Sequence, residues 1–271
     1  MALIPLEDNF ADIINKAQRG RKITDQRLAQ VAAIEMEDLL AVKGGKPIVP
    51  VIRRVARHLR LNPDALEVVA LNGWYPKIPV FPRGFAMFNT PMEDITVNSY
   101  LVWDPRSKQA LAFDTGADAT EMIEVIRQEK LSVRAILLTH THEDHVADID
   151  KLSAATGAEV FSHENEPLPD RRTFKDNAHF HAGEIAAKAL LTSGHSPGLT
   201  TFFITGLSWP LAVVGDALFA ASMGGSAEHF EEQYRNNHSK IFTLPRDTVI
   251  APGHGPLTTL AQEKEHNPFF A

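Results

Sequence analysis

Cysteine is absent from all 271 residues. That excludes disulfides, thiolate metal sites and a cysteine nucleophile together. Long apolar runs are missing too. The stretch that comes nearest, Thr200 to Ala221, is interrupted by Gly206, Pro210 and Asp216, and reads as two strands and a turn instead of a membrane span. Excess positive charge is also lacking: 27 Lys/Arg against 34 Asp/Glu leaves a net charge of −7, which argues against a chain that lives on nucleic acid. Met1 to Asp8 has neither a basic nor an apolar leader region, so no secretory signal is expected and a cytoplasmic location is inferred. No internal repeat or low-complexity segment is present. A hydrophobic content of 44% with 23% charged residues fits a soluble globular protein with a large core, in one domain or two unequal ones.

Against this background stands one dense cluster, His140-Thr141-His142-Glu143-Asp144-His145. Three imidazoles and a carboxylate within six residues have few uses other than holding a metal, because imidazole suits Zn or Fe and a carboxylate adds a hard, bridging-capable oxygen. Before it, Arg134 to Leu138 is a short apolar run suited to a buried strand. After it, Val146, Ile149 and Leu152 recur at near-helical spacing, with Gly157 as a C-terminal stop. The cluster therefore sits where a strand gives way to a helix, the edge at which α/β folds gather ligands. His140 and His142 project to one side of an extended loop and can share a metal, while Asp144 and His145 can face a second.

Three further candidates follow in similar settings. His195 lies between glycines after Leu190-Leu191, Asp216 ends the run Leu211 to Gly215, and His254 stands in Pro252-Gly253-His254-Gly255 after Thr248 to Ile250. Glycine at such places admits close backbone approach.

The order H-x-H-x-D-H, then His, Asp and His, resembles the metallo-β-lactamase superfamily. The words Gly194 to Gly198, Gly215 to Phe219, Pro252 to Pro256 and His266 to Phe269 are most similar to its glyoxalase-II-like branch. The resemblance spans roughly residues 85 to 271, about two-thirds of the chain. It implies an α/β fold, a four-layer αββα sandwich with metals at one edge of the two sheets. It implies His140, His142 and His195 around one metal, Asp144, His145 and His254 around the other, and Asp216 bridging. Asp114, in Phe113-Asp114-Thr115-Gly116, matches the family's supporting Asp near the ligands. Catalytic roles are thereby expected for Asp144, Asp216 and Asp114.

Two divalent ions about 3.5–4 Å apart share a bridging water and lower its pKa from about 15.7 toward neutrality. The resulting hydroxide needs no serine or cysteine, and the metal stabilises the oxyanion. The resemblance thus implies hydrolysis of a thioester or related acyl ester, with two divalent ions, zinc foremost and Fe or Mn as alternatives. The lack of cysteine rules out the thiolate-ligated zinc of many true β-lactamases and argues against antibiotic hydrolysis. The helical domain with which longer glyoxalases grip glutathione is not expected after His254, so a lactone or another ester stays open as substrate. A second reading is a mononuclear iron persulfide dioxygenase using His140, His195 and Asp216.

The first third differs in kind. Residues 1–85 hold 13 Lys/Arg against 9 Asp/Glu, a net +4 that leaves −11 for residues 86–271. From Phe10 to about Leu71 the pattern is helical, with breaks at Gly20, Gly44 to Pro47 and Asn62-Pro63. Asn72-Gly73 and Pro76, Pro79 and Pro82 then form an extended connector. The expected organisation is a small all-helical accessory domain at 1–76, a connector at 77–85 and a catalytic domain at 86–271. Leu28-Ala29-Gln30, Ile34, Leu39, Gly45, Pro47 and Val55 to Leu59 resemble the helix-turn-helix domain of phage-repressor type. A recognition helix from Glu35 to Val42 would present Glu35, Glu37 and Asp38, which repel phosphate. A DNA-binding regulator with a metal-sensing domain is the third reading, and nucleic acid is not the expected partner. Arg53, Arg57 and Arg60 share a helix face, expected to be solvated and paired to the acidic domain. A homodimer contact through the accessory domain is admitted.

Other residues carry weaker signals. His163, His179 and His181 are expected at the surface or in the core, and Trp74 and Tyr75 in packing between domains. Phe230, Tyr234 and Ile241 read as core, while Asn236, Asn237, His238 and Lys240 are left open as substrate contacts.

Overall fold

The computed structural model describes residues 3–78 and 80–271. Pro79 of the connector, and the first two residues of the N-terminal leader reading, lie outside the described residues. Five helices open the chain: α1 (Phe10–Gly20), α2 (Asp25–Ala32), α3 (Met36–Lys43), α4 (Val49–His58) and α5 (Pro63–Ala70). Their starts are set locally. Asn9 and Asp12 form a reciprocal capping box on α1, Thr24 caps α2 through the Arg27 N–H, and Asn62 caps α5 ahead of Pro63; each satisfies N–H groups that the helix itself leaves orphaned.

The break from Ala33 to Glu35 escapes a reading based on Gly and Pro, because the left-handed turn residue there is Ala33. Gly20, read as a break, is the last residue of α1 and also serves a second purpose. A Cβ at this position would lie 2.2 Å from the Phe230 ring, so the glycine permits close packing of α1 on a distant part of the chain.

The remainder builds two six-stranded sheets. The first, in the order β1 (Phe85–Met92), β2 (Ile95–Trp103), β3 (Gln109–Phe113), β4 (Ser132–Leu137), β5 (Val160–His163) and β6 (Arg172–Phe174), follows the chain. α6 (Thr120–Glu129), α7 (Glu143–Val146) and α8 (Ile149–Thr156) fall within it. The second holds β7 (His179–Ala182), β8 (Ile185–Leu191), β9 (Thr200–Thr205), β10 (Leu211–Gly215), β11 (Val249–Pro252) and β12 (Thr258–Thr259), side by side in chain order. α9 (Phe230–Asn236), continued by a wide turn over Asn237–Ile241, precedes β11, and α10 (Leu260–His266) closes the chain. Among the described residues no helix is long and apolar enough to cross a membrane.

Strand periodicity divides the core. Leu111 and Phe113 pack between the sheets with Phe202, Val213 and Ala251, whereas Ala110 and Ala112 of the same strand face α6 and α8, as period-two alternation requires. Ala212, Val214 and Ile250 cover the outer face of the second sheet against Ile241 and Leu260. The expected layers, helix on sheet on sheet on helix, are thus present, with the helical segment before them. The single helix expected after the His cluster is instead two, broken at Ala147-Asp148. Asp148 is drawn out of the helix: its N–H donates to Thr115 Oγ1 and its carboxylate accepts from the Ala119 N–H.

The N-terminal helices do not stand apart. Phe10, Ile13, Ile14 and Ala17 share a core with Ala221, Met223, Phe230 and Phe269. Trp74 stacks on His266 with ring centroids 5.0 Å apart, and the Asn62 N–H donates to the Pro268 carbonyl at 2.7 Å. The boundary at 77–85 divides helices from strands in sequence, while packing joins them.

Glu263 on α10 is a fully buried carboxylate in this junction. It accepts from the Ala221 N–H, the Asn267 amide and the Thr258 hydroxyl, yet burial still pushes it from the usual 4.5 up to about 7. The folded protein therefore binds a proton that the unfolded chain releases between about pH 4.5 and 7. Stability from this group is full below about pH 4.5 and is lost as pH rises through about 7, by on the order of 3 kcal/mol. Glu263→Gln mimics the protonated side chain: its carbonyl oxygen can still accept from Ala221 and Asn267, and its NH2 donates to the Thr258 hydroxyl, which turns to accept. We predict that melting temperatures taken from pH 5 to 8 diverge by several degrees in favour of Glu263→Gln as pH rises.

Candidate metal centre

Each residue of the centre follows the end of a strand. β4 ends at Leu137, and Thr139, whose carbonyl accepts from the Thr200 N–H at 2.8 Å, launches the loop carrying His140 and His142. α7 then turns Asp144 and His145 inward. β8 leads to His195, β10 to Asp216 and β11 to His254.

These seven side chains converge. The ligand atoms of His140, His142 and His195 lie within 4.8 Å of one another, as do those of His140, His145 and Asp216, and those of Asp144, His145 and His254. Asp216 stands between the two outer trios. Its Oδ2 is 3.4 Å from His195 Nε2 and 3.5 Å from His254 Nε2, and its Oδ1 is 3.5 Å from His145 Nε2. Asp144 Oδ2 lies 3.2 Å from His254 Nε2 and 3.4 Å from His145 Nε2. His140, His145, Asp216 and His254 are buried, Asp144 is half-buried, and His142 is exposed at the mouth.

The backs of the rings fix which nitrogen faces inward. His145 Nδ1 donates to Asp114 Oδ2 at 2.9 Å, His195 Nδ1 to the Gly225 carbonyl at 2.9 Å, and His254 Nδ1 to the Thr96 carbonyl at 2.8 Å. The Thr139 hydroxyl donates to Asp114, so its oxygen accepts from His140 Nδ1 at 3.1 Å. Four Nε2 atoms consequently face the centre. His142 differs: its Nδ1 lies 3.1 and 3.0 Å from the Nε2 atoms of His140 and His195, so Nδ1 is its inward atom. Such back-side partners orient metal-binding imidazoles and fix their tautomer.

This arrangement fits a cation. His145 Nε2 and Asp216 Oδ1 are buried without a hydrogen-bond partner, a costly state unless another group satisfies them. Burial keeps His140 and His195 below the usual imidazole range, hence neutral and able to coordinate. Burial would also lower His145 and His254, but Asp114 and Asp216 outweigh it and draw them up to about 10 and about 11. Burial alone would raise Asp216, yet His254 and His145 hold it well below the carboxylate range. Positive charge is demanded at the level of Asp216 and Asp144, and metal displaces protons at such ligands.

Asp114, expected as catalytic, lies fully behind His145 with a positive φ of 55°. It accepts from the Thr139 N–H at 2.7 Å and from the Thr139 hydroxyl at 2.8 Å as well as from His145, so it orients ligands and does not face the mouth. Glu166 has no counterpart in the sequence reading. Its carboxylate accepts from the Thr141 N–H and hydroxyl, both at 2.7 Å, the Ser196 hydroxyl at 2.5 Å and the Gly198 N–H at 2.9 Å. It thereby ties the His140–His142 loop to the His195 loop. A Glu before a proline carries no sequence signal for this; only the folded sheet edge brings it between the loops. Asn98 and Tyr100, also unforeseen, hold the His254 loop through the Pro252 and Gly255 carbonyls.

The remaining candidates lie elsewhere. His179 and His181 are exposed on β7, and buried His163 caps the Asn165 N–H. Asn237 donates to the Ala217 carbonyl, Asn236 to that of Ser193 and Lys240 to that of Leu191, so all three are structural ties. Tyr75 bonds the Ile4 carbonyl. Phe230 and Ile241 are buried, and Tyr234 is half-buried. Glu35 occupies the N-cap position of α3 instead of its first turn. On α4, Arg53 pairs with Asp64 and Glu67 of α5 and Arg57 is exposed. Arg60, expected on the same helix face, lies past the end of α4 with a positive φ of 52° and is exposed. The pairing expected with the acidic domain is made instead by Arg21 to Glu231 at 3.0 Å.

The fold and this cluster define a class of metal-dependent proteins. The family model of the metallo-beta-lactamase superfamily matches residues 92–254, and the chain belongs to that superfamily. It is 28% identical over 203 residues to the probable metallo-hydrolase YqgX of Bacillus subtilis (strain 168), covering 66% of this chain and 94% of that protein. It is 30% identical over 204 residues to the hydroxyacylglutathione hydrolase GloC of Haemophilus influenzae, covering 66% and 95%. A hydroxyacylglutathione hydrolase of Pseudomonas entomophila is 32% identical over 156 residues, covering 57% of this chain and 60% of the relative. Among solved structures, the BLEG-1 B3 metallo-beta-lactamase superposes with a TM-score of 0.61 at 28% identity, over 69% of this chain and all of the other.

Glu166→Ala would leave four donors of two ligand loops without their acceptor. We predict a loss of about 10- to 100-fold in affinity for divalent metal, measured by competition with a chromophoric chelator.

Proposed function

We propose that this protein hydrolyses acyl thioesters, or closely related acyl esters, with two divalent ions, zinc foremost, held by His140, His142 and His195 on one side and Asp144, His145 and His254 on the other. The observation that carries this reading is the position of Asp216, whose two oxygens lie 3.4–3.5 Å from ring nitrogens belonging to both trios. The named hydroxyacylglutathione hydrolases among the relatives support the thioester. Divalent ions bound at this centre acidify water toward neutral pH and polarise an acyl carbonyl.

The rest follows from the chain. With no cysteine, and with Ser196 beside His195 committed to Glu166, the side chains at the centre supply no nucleophile, and water must attack. With a cation in place of the protons that His145 and His254 otherwise hold, the inward Nε2 atoms of His140, His145, His195 and His254 would be occupied and have no proton to donate. Asp144, with 17% of its side chain exposed, is the carboxylate closest to solvent among the seven. It can hold the proton taken from water and release it to the departing thiolate. Asp114 and Thr139 keep His140 and His145 from rotating as charge moves across the centre.

The test is metal content of protein purified without added metal or chelator, together with turnover of an acylglutathione and an aryl thioester. We predict about two ions per chain and cleavage of the thioester. Asp216→Ala should lose one ion and at least about 100-fold in turnover, more than removal of an orienting partner costs. Normal turnover and metal content in that variant would overturn the reading. A single iron per chain, with oxygen uptake on persulfides and no thioester cleavage, would put the dioxygenase in its place.

A further inference from the structure

The segment after Asp216 touches both halves of the metal centre. Gly225 accepts the Nδ1 proton of His195 at 2.9 Å, and the Phe219 ring meets the His254 ring edge-on at 5.8 Å. Between them, Phe219 and Ser222 pair across a tight turn. Gly224 lies so close that a Cβ there would stand 1.9 Å from the Asp216 carbonyl oxygen and 3.2 Å from His195 Nδ1. A shift of this segment would therefore be felt at Asp216, His195 and His254.

What holds the segment comes largely from the start of the chain. Asp8, buried ahead of α1, accepts from the Ser222 hydroxyl at 2.5 Å and from Lys16 Nζ at 2.5 Å. Lys16, on α1, also donates to the Met223 carbonyl at 3.1 Å, and its ammonium lies 5.1 Å from the centroid of the Phe219 ring. The side chains of Lys16 and Asp8 are only 15% and 7% exposed. One ammonium thus engages the turn at Met223, the ring that packs on His254, and the carboxylate that grips Ser222.

We propose that Lys16, together with Asp8, is a positioning residue of the metal centre, fixing the 219–225 segment and through it the orientation of His195 and His254. The inference rests on the reading of the centre as a metal site. A buried ion pair adds little stability over apolar groups of similar size, so stability alone does not account for a lysine here. Its geometry does: an ammonium offers three donors on one atom, and two of the acceptors lie on different segments of chain. The cation–π contact with Phe219 adds a third direction.

The test uses the full chain with zinc alone as probe. Lys16→Met combined with Asp8→Asn removes the strut without leaving an unpaired buried charge. We expect zinc affinity to fall about 10-fold by chelator competition, and the visible spectrum of the cobalt-loaded protein to change as the ligand rings reorient. Lys16→Arg, which preserves charge and donors, should bind zinc within about threefold of the unmodified chain. Ser222→Ala removes one bond and no charge, and carries the same test, with a smaller loss, should the double variant not fold. Unchanged zinc affinity and cobalt spectrum in the double variant, or in Ser222→Ala if that is the one tested, overturn the proposal. An unmodified chain that takes up no divalent ion overturns the reading of the centre itself, a separate failure.

Discussion

Five imidazoles and two carboxylates crowded into one buried space repel, desolvate and misalign one another unless each is held from behind. That constraint shapes everything around the centre. Rings that coordinate through Nε2 require an acceptor at Nδ1, and the protein supplies four acceptors of three kinds: a carboxylate for His145, a hydroxyl for His140, and backbone carbonyls for His195 and His254. Three come from other elements, and the one neighbour, Thr139, is itself anchored to Asp114.

The two-sheet fold is well suited to this demand. Strands ending at a common edge bring loops from distant parts of the sequence within hydrogen-bond reach, and rigid strands below keep those loops in register. Asn98 and Tyr100 of β2 reach across the sandwich to the Pro252 and Gly255 carbonyls, so the first sheet holds a ligand loop of the second. Glu166 makes a second connection in the same direction, from the turn after β5 of the first sheet to the loop carrying His195 in the second. The centre is consequently a joint between the sheets, and loss of one tie should loosen ligands contributed by both.

The seven residues that converge were legible because their chemistry is local. A six-residue cluster of His and Asp at a strand end, and single His or Asp residues after apolar runs, announce themselves by residue type and spacing. The layers could be read in the same way, since Leu111 and Phe113 alternate with Ala110 and Ala112. The supports could not be read. Glu166, Asn98, Asp8 and Lys16 are ordinary polar residues whose partners lie far away in sequence, and only closure of the fold gives them meaning. Gly20 was legible as the end of α1, but its second use, as a contact surface for Phe230, was not. Left-handed Ala33 shows the converse, a turn made by a residue that carries no turn signal.

Charge suggested that the basic helical segment and the acidic remainder, at +4 and −11, meet through ion pairs. They meet mainly through apolar packing. Arg53 is satisfied within the segment by Asp64 and Glu67, and Arg57 and Arg60 face solvent. Meanwhile Phe10, Ile13, Ile14 and Ala17 bury themselves with Met223, Phe230 and Phe269. Exposed ion pairs contribute at most about 1 kcal/mol, whereas full burial of a large apolar side chain contributes about 1.5–3 kcal/mol, so the apolar contacts decide how the segment docks. Docking in that register is what brings Lys16 and Asp8 to the 219–225 turn. Residues 8–16 are thus tied to the candidate metal centre by the same packing that joins the helices to the sheets, and a change that loosens one loosens the other.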